Sequence, residues 1–188
     1  MSMPKTPGAA PNAFSYVIAV TDIPEAGLDL DINADPETLR ALAAADGLES
    51  IARLEAEFHV TRKAEERVNV SGEVRAKITQ ICVVSLEPFE SEVIEPIDVD
   101  FAPAEIAAAV AAREAGAAHD GASHEIGEEP PDPIIDGKID LGALAAEFLA
   151  LGLDPYPRKP GVTFEPPPGG EAERETAFSV LRKLKERS

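Results

Sequence analysis

The fold is decided by one stretch near the middle of the chain, residues 67–78, which reads RVNVSGEVRAKI. From Val68 to Ile78 an apolar side chain or a glycine occupies every second position, and polar or charged side chains lie between them. Because successive side chains of a strand point to opposite faces of a sheet, this alternation puts one face on a core and the other in water. The stretch therefore predicts a half-buried strand of an antiparallel sheet.

Similar patterns on both sides of this strand extend the sheet. The alternation also runs through residues 53–60, and residues 61–66 between the two runs predict a hairpin turn. An apolar run that Pro88 bends predicts the next strand, and a further alternating run follows it. The predicted strands 53–60, 67–78, 81–86 and 93–101 follow one another as a meander, and residues 14–20 are a further short strand candidate ahead of it.

Helical patterns flank this meander. Asp35 is a suitable N-cap ahead of Pro36 at the first helical position, and Gly47 marks the end of that helix. The four predicted helices are 36–46, 104–115, 140–150 and 176–186. The fold class that we predict is α+β, an antiparallel β-meander sheet flanked by several helices.

The length of 188 residues suits one domain with a tail. Residues 1–12 are rich in Pro, Gly and Ala and predict a disordered tail, and we expect residues 13–188 to form a single domain. Within that domain residues 119–133 have little to bury, so we expect a flexible acidic loop there. Six prolines between residues 154 and 170 predict an extended connector.

The net charge of −18 limits the ways in which this chain can bind nucleic acid. A chain this acidic repels a phosphate backbone at long range, so RNA binding needs a local basic patch or a protein that mediates it. Cys82 is the single cysteine, which excludes an internal disulfide and a four-cysteine zinc site. There is no apolar run of about 18 residues and no signal-peptide pattern at the start. We expect a cytoplasmic protein with neither a membrane nor DNA as its partner.

The residues that could carry chemistry do not form a complete catalytic or metal-binding set. His119 and His124 lie in the predicted loop, which cannot hold zinc ligands rigidly. His59 falls on the polar side of a strand, where a surface histidine is expected, and Cys82 has apolar neighbours that favour a buried structural thiol. We therefore predict no catalytic residue, no metal site and no cofactor.

Basic residues concentrate in two places. Residues 51–80 hold six basic and five acidic residues and the last eighteen hold five and four, whereas residues 85–140 hold two and fifteen. Basic side chains on one strand face could bind RNA phosphates or a protein partner, or they could form a solvated face with cross-strand carboxylate pairs. The predicted RNA- or partner-binding residues are Arg53, Arg67, Arg75, Lys77, Arg182, Lys183 and Lys185.

Three stretches in this order resemble the DUF177/YceD family. They are VSGEVRAKITQICVVSLEPF at residues 70–89, IDGKIDLGALAAEFLALGLDP at residues 135–155, and TAFSVLRKLK at residues 176–185. The chain departs from the family pattern at Cys82-Val-Val-Ser85, where other members have Cys-x-Arg-Cys. Because the second cysteine of that motif is absent here, the resemblance implies no metal or redox role for the motif in this chain.

The resemblance implies a non-enzymatic ribosome-biogenesis factor that supports accumulation or processing of the 23S ribosomal RNA. Such a factor would bind pre-ribosomal RNA or a large-subunit ribosomal protein. Family members are often encoded beside the gene of a large-subunit ribosomal protein. The alternative is an acidic adaptor or chaperone that holds a basic ribosomal protein with residues 85–140. A hydrolase with an unrecognised site is a third interpretation. The oligomeric state stays open.

Overall fold

A computed structural model describes residues 14–119 and 130–164 of the chain. The strands are β1 (Val17–Ala19), β2 (Leu28–Asn33), β3 (Ser50–Arg62), β4 (Val68–Ile81), β5 (Pro88–Pro103), β6 (Asp132–Ile134) and β7 (Lys138–Asp140). The helices are α1 (Pro36–Ala45), α2 (Ala104–His119) and α3 (Leu141–Leu151), with a 3-10 turn at Val20–Asp22.

Helices α1 and α3 each begin directly after an aspartate that caps them, and Asp35 is the cap that the sequence predicts for α1. Asp35 Oδ1 accepts hydrogen bonds from the backbone N–H groups of Glu37 and Thr38, both at 2.9 Å, which satisfies two of the donors that open α1. Asp140 Oδ1 accepts from Ala143 N at 3.1 Å at the start of α3, and also from Tyr16 N at 2.8 Å. The second bond ties α3 to the segment just before β1.

The main sheet has the strand order β2-β3-β4-β5-β6, and β1 pairs with β7 in a separate two-stranded sheet. Strands β2 to β5 are antiparallel neighbours in sequence order, which is a meander, and β6 joins β5 in parallel after the α2 connection. The α+β prediction is confirmed. The parallel strand β6 is an addition to the predicted meander.

One face of the sheet is covered and the other faces water. The covered face carries Leu54, Val60, Val70 and Ile78, each 0–1 % exposed. Helix α1 packs against β3, and α3 packs against β4 and β5, so these elements share one hydrophobic core. Because α1 and α3 share the core with the inward side chains, the opposite face is left open to solvent.

Two predictions about the strands are wrong in detail. The apolar run at 81–86 is a hairpin turn, in which Cys82 N donates to Glu87 O and Leu86 N donates to Cys82 O, both at 2.9 Å. Leu86 adopts a left-handed conformation with φ 59°, which the apolar character of the run does not reveal. Strand β2 was not predicted, and Asp132 and Pro133, predicted as loop, belong to β6.

Several predictions lie outside the described residues. They concern the tail at 1–12, most of the loop at 119–133, and the helix at 176–186. The division into a tail and a single domain from residue 13 stays a prediction. No helix in the described part of the chain is both long and apolar enough to cross a bilayer.

Candidate partner-binding surface

The solvent-facing side of strands β2 to β5 is not covered by any helix of the described residues. We call it the outer face. Its register is fixed by the strand pairs, in which Glu57 of β3 lies opposite Asp31 of β2 on one side and Glu73 of β4 on the other. None of its side chains is buried, because the inward positions of the same strands carry the core.

The outer face is acidic. Nine carboxylates stand on it against three basic side chains, Arg53, Arg75 and Lys77. The carboxylates are Asp29, Asp31, Glu55, Glu57, Glu73, Glu90, Glu92, Asp98 and Asp100. Strands β2 and β5, the first and last of the meander, contribute carboxylates to this face. The basic residues of β3 and β4 lie on the same face. The surface as a whole therefore attracts cations.

A row of like charges crosses the middle of this face. Asp31, Glu57 and Glu73 are direct cross-strand partners, and directly opposed like charges destabilise a sheet. Within the described residues Asp31 and Glu57 have no ion-pair partner, whereas Glu73 pairs with Arg75. Exposed Ile94, which is 48 % accessible and lies opposite Arg75, gives the same area an apolar contact point. The row combines local electrostatic frustration with an exposed apolar side chain.

The structure places three of the predicted binding residues together but pairs each of them with a carboxylate. Arg53 Nη2 lies 2.6 Å from Glu55 Oε2, and Lys77 Nζ lies 3.0 Å from Glu90 Oε2. Arg75 donates to Glu73, and this hydrogen bond raises the pKa of Arg75 above its usual value. The solvated strand face with carboxylate pairs, the alternative weighed from sequence, describes this geometry. A role for these residues in binding stays a prediction.

The remaining predicted binding residues are not part of this cluster. Arg67 stands eight positions before Arg75 along the chain, which is about 26 Å in an extended strand. Its side chain is 27 % exposed and lies at the turn between β3 and β4. Arg182, Lys183 and Lys185 lie outside the described residues, so their role as RNA- or partner-binding residues also stays a prediction.

His59 lies on the outer face beside a carboxylate. His59 Nδ1 lies 2.6 Å from Asp29 Oδ1 on the outer face, as expected of a surface histidine with a carboxylate neighbour. His124 lies outside the described residues. Across residues 14–119 and 130–164, no three His, Cys, Asp or Glu side chains are grouped so that they could hold a metal ion.

Cys82 is buried, as predicted, but its surroundings are more polar than its sequence neighbours indicate. Ser85 N donates to Cys82 Sγ at 3.4 Å, and Lys159, from the segment after α3, lies close enough to interact with the thiolate charge. Hydrogen bonds, first from the Ser85 side chain and then from backbone N–H groups, lower the pKa of Cys82 to about 6. The sequence could not show this, because Lys159 reaches the turn only in the folded chain.

The acidic outer face was missed in the sequence because it depends on strand register. The alternation of Asp29 and Asp31 with apolar residues in β2 is a signal that could have revealed the extra strand. Its position beside β3, and the matching outward positions of Asp98 and Asp100 in β5, are visible only once the pairing is known.

The chain matches one family of known proteins. Comparisons with curated proteins and with solved structures found no matching protein or structure. The family described as large ribosomal RNA subunit accumulation protein YceD matches residues 70–185, from within β4 to near the end of the chain. Since this match covers more than half of the sequence, the chain belongs to the YceD family.

Proposed function

We propose that this chain is a non-enzymatic, cytoplasmic ribosome-biogenesis factor that supports large-subunit ribosomal RNA accumulation by holding a basic ribosomal protein on its outer face. Membership of the YceD family supports the link to that RNA. The acidic outer face supports the choice of partner, because its uncompensated carboxylates complement a protein rich in Lys and Arg.

The row of Asp31, Glu57 and Glu73 is the observation that carries this proposal. Three opposed carboxylates lower the stability of the free sheet, and a cationic side chain from a partner would relieve that repulsion. Departures from local stability rules concentrate at functional sites. In this proposal Arg53, Arg75 and Lys77 orient the carboxylates beside them. The negative charge of the outer face disfavours attraction of RNA to it.

The test is to measure binding of the purified chain to basic large-subunit ribosomal proteins and to fragments of the large ribosomal RNA, each at low and high salt. We expect a salt-sensitive complex with at least one of these proteins. Glu57→Lys should weaken it by about tenfold or more, since it puts a cation in the middle of the row.

The matched control is Glu37→Lys, which makes the same change in net charge on α1, the helix that packs against the covered side of β3. This variant should bind the ribosomal protein as the unchanged chain does. Equal weakening by both variants would mean that net charge, and not the outer face, governs binding. Binding to RNA fragments alone would contradict the proposal.

A further inference from the structure

Arg67 is a half-buried cation that lacks a close hydrogen-bond acceptor in the described residues, although the charge of Asp100 is near enough to interact with it. Its guanidinium lies 3.7 Å from Glu65 Oε2, which is too long for a hydrogen bond. Arg67 Nε is buried and has no hydrogen-bond acceptor in the described part of the chain. Because arginine keeps its charge in a protein and has further N–H donors on the exposed part of its guanidinium, an anion that accepts from them would stabilise this arrangement.

A cavity of about 500 Å³ opens beside Arg67, at the base of the β3–β4 turn. Two more cations line it, and both are held in place: Arg62 Nη2 donates to Val20 O at 2.6 Å, and Lys63 Nζ pairs with Asp100 Oδ1 at 2.9 Å. In a chain of net charge −18, three cations around one cavity are a local concentration of basic side chains.

The start of α2, at Ala104 and Glu105, also lines this cavity. The N-terminal end of a helix of this length carries a partial positive charge, which adds to that of the three side chains. Glu66 and Glu105 also line the cavity and Asp100 neutralises Lys63, so the side-chain charges there balance. An anion would be held by the directed N–H donors of Arg67 and not by bulk charge, which suits one phosphate group and not a long polyanion.

We propose that this cavity, with Arg67 as its main donor, binds a single phosphate group of an RNA strand. The identification of the strand as RNA rests on the proposed function, whereas the preference for phosphate rests on the cavity itself. The planar guanidinium of Arg67 can donate two parallel hydrogen bonds to phosphate oxygens. The site is separate from the outer face, so one chain can hold a basic protein and touch the RNA on which that protein assembles.

The test is an NMR titration of the ¹⁵N-labelled full chain, first with a short single-stranded oligouridylate and then with inorganic phosphate. We expect the backbone amide signals of Arg67, Ala104 and Glu105 to shift with the oligonucleotide, while that of Glu57 does not. A shift with both ligands shows a general phosphate site, and a shift with the oligonucleotide alone shows recognition of the strand. If the oligonucleotide shifts none of these three amide signals, the proposal is overturned, whatever inorganic phosphate does.

Two variants make the test specific. Arg67→Gln should weaken oligonucleotide binding by about tenfold or more, and Arg75→Gln, a change of the same kind on the outer face, should leave it unchanged. Since one phosphate is bound, the logarithm of the affinity should fall with the logarithm of salt concentration with a slope of about −0.7. Undiminished binding by Arg67→Gln would also overturn the proposal.

The result is distinguishable from failure of the proposed function. Arg67→Gln should leave binding of the basic ribosomal protein intact, and Glu57→Lys should leave the oligonucleotide-induced shifts intact. Absence of the protein complex alone would refute the role of the outer face, and absence of the oligonucleotide complex alone would refute this cavity.

Discussion

Replacing Glu57 by glutamine should make the free protein more stable while making it a poorer binder. Glu57 stands between Asp31 and Glu73, its direct partners on the two neighbouring strands. Side chains at such positions have Cβ atoms about 5 Å apart, and a like-charge pair there costs roughly 0.2–1 kcal/mol. Removing one charge relieves both repulsions.

The gain is reduced by one loss. Arg75 is attracted to Glu57 as well as to Glu73, and Glu57→Gln removes the smaller of these attractions. Allowing for this and for solvent screening, we expect a net stabilisation of about 0.5–1 kcal/mol at low ionic strength. The stabilisation should shrink as salt is added, because the repulsion between exposed charges is screened.

Urea unfolding at two salt concentrations measures this change as a rise of the unfolding midpoint by about 0.3–0.5 M at low salt. The matched control is Glu37→Gln, which removes a carboxylate from the first turn of α1, where a negative charge is favourable. Its midpoint should fall slightly. A fall for Glu57→Gln at low salt, or a rise of the same size for both variants, would refute the electrostatic reasoning.

Three further changes test the structure. Gly72→Ala should destabilise the fold by about 2–4 kcal/mol in urea unfolding, because the new Cβ would collide with the backbone carbonyl of Glu57 and separate β3 from β4. Replacing Glu65 and Glu66 by Asn-Gly should stabilise the fold by about 1 kcal/mol, since both residues have left-handed φ values of 60° and 58°. The pKa of Cys82 is lowered from 9.0 to about 6, so the folded chain binds fewer protons than the unfolded chain between these pH values. The unfolding midpoint should therefore rise with pH across that range by more than it does for Cys82→Ser.

Each of these three predictions has its own contrary outcome. For the glycine, the control is Gly137→Ala, which has nothing within 4 Å and a φ of 69°, so it should cost only about 1 kcal/mol. Equal costs at the two glycines would remove the steric explanation. A less stable Asn-Gly variant would mean that the turn is not strained. A difference in stability between the unchanged chain and Cys82→Ser that stays constant from about pH 6 to pH 9 would show that the thiol does not titrate as described.

Local rules were sufficient for the elements whose signals lie within a few residues. Asp35 and Pro36 placed α1, and the alternation on each side of the β3–β4 turn placed the centre of the sheet. These signals act over one helical turn or one strand, so they survive without knowledge of the rest of the fold.

The misses required information that is not local. The left-handed Leu86 turns an apolar run into a hairpin, and the pairing of β2 with β3 brings Asp31 beside Glu57. The cavity at Arg67 exists because α2 starts beside the β3–β4 turn, although residues 62–67 and 104–105 are far apart in sequence. Register and long-range packing, not residue type, decided the charge of both candidate surfaces.

The most direct test of the central claim is the ratio of large-subunit to small-subunit ribosomal RNA in cells whose only copy of this chain carries Glu57→Lys. A lysine between Asp31 and Glu73 should strengthen the sheet, so a defect in this variant would not come from misfolding. We predict a lower ratio than in cells carrying the unchanged chain or Glu37→Lys. An unchanged ratio, with the Glu57→Lys chain present at its normal level, would contradict the account.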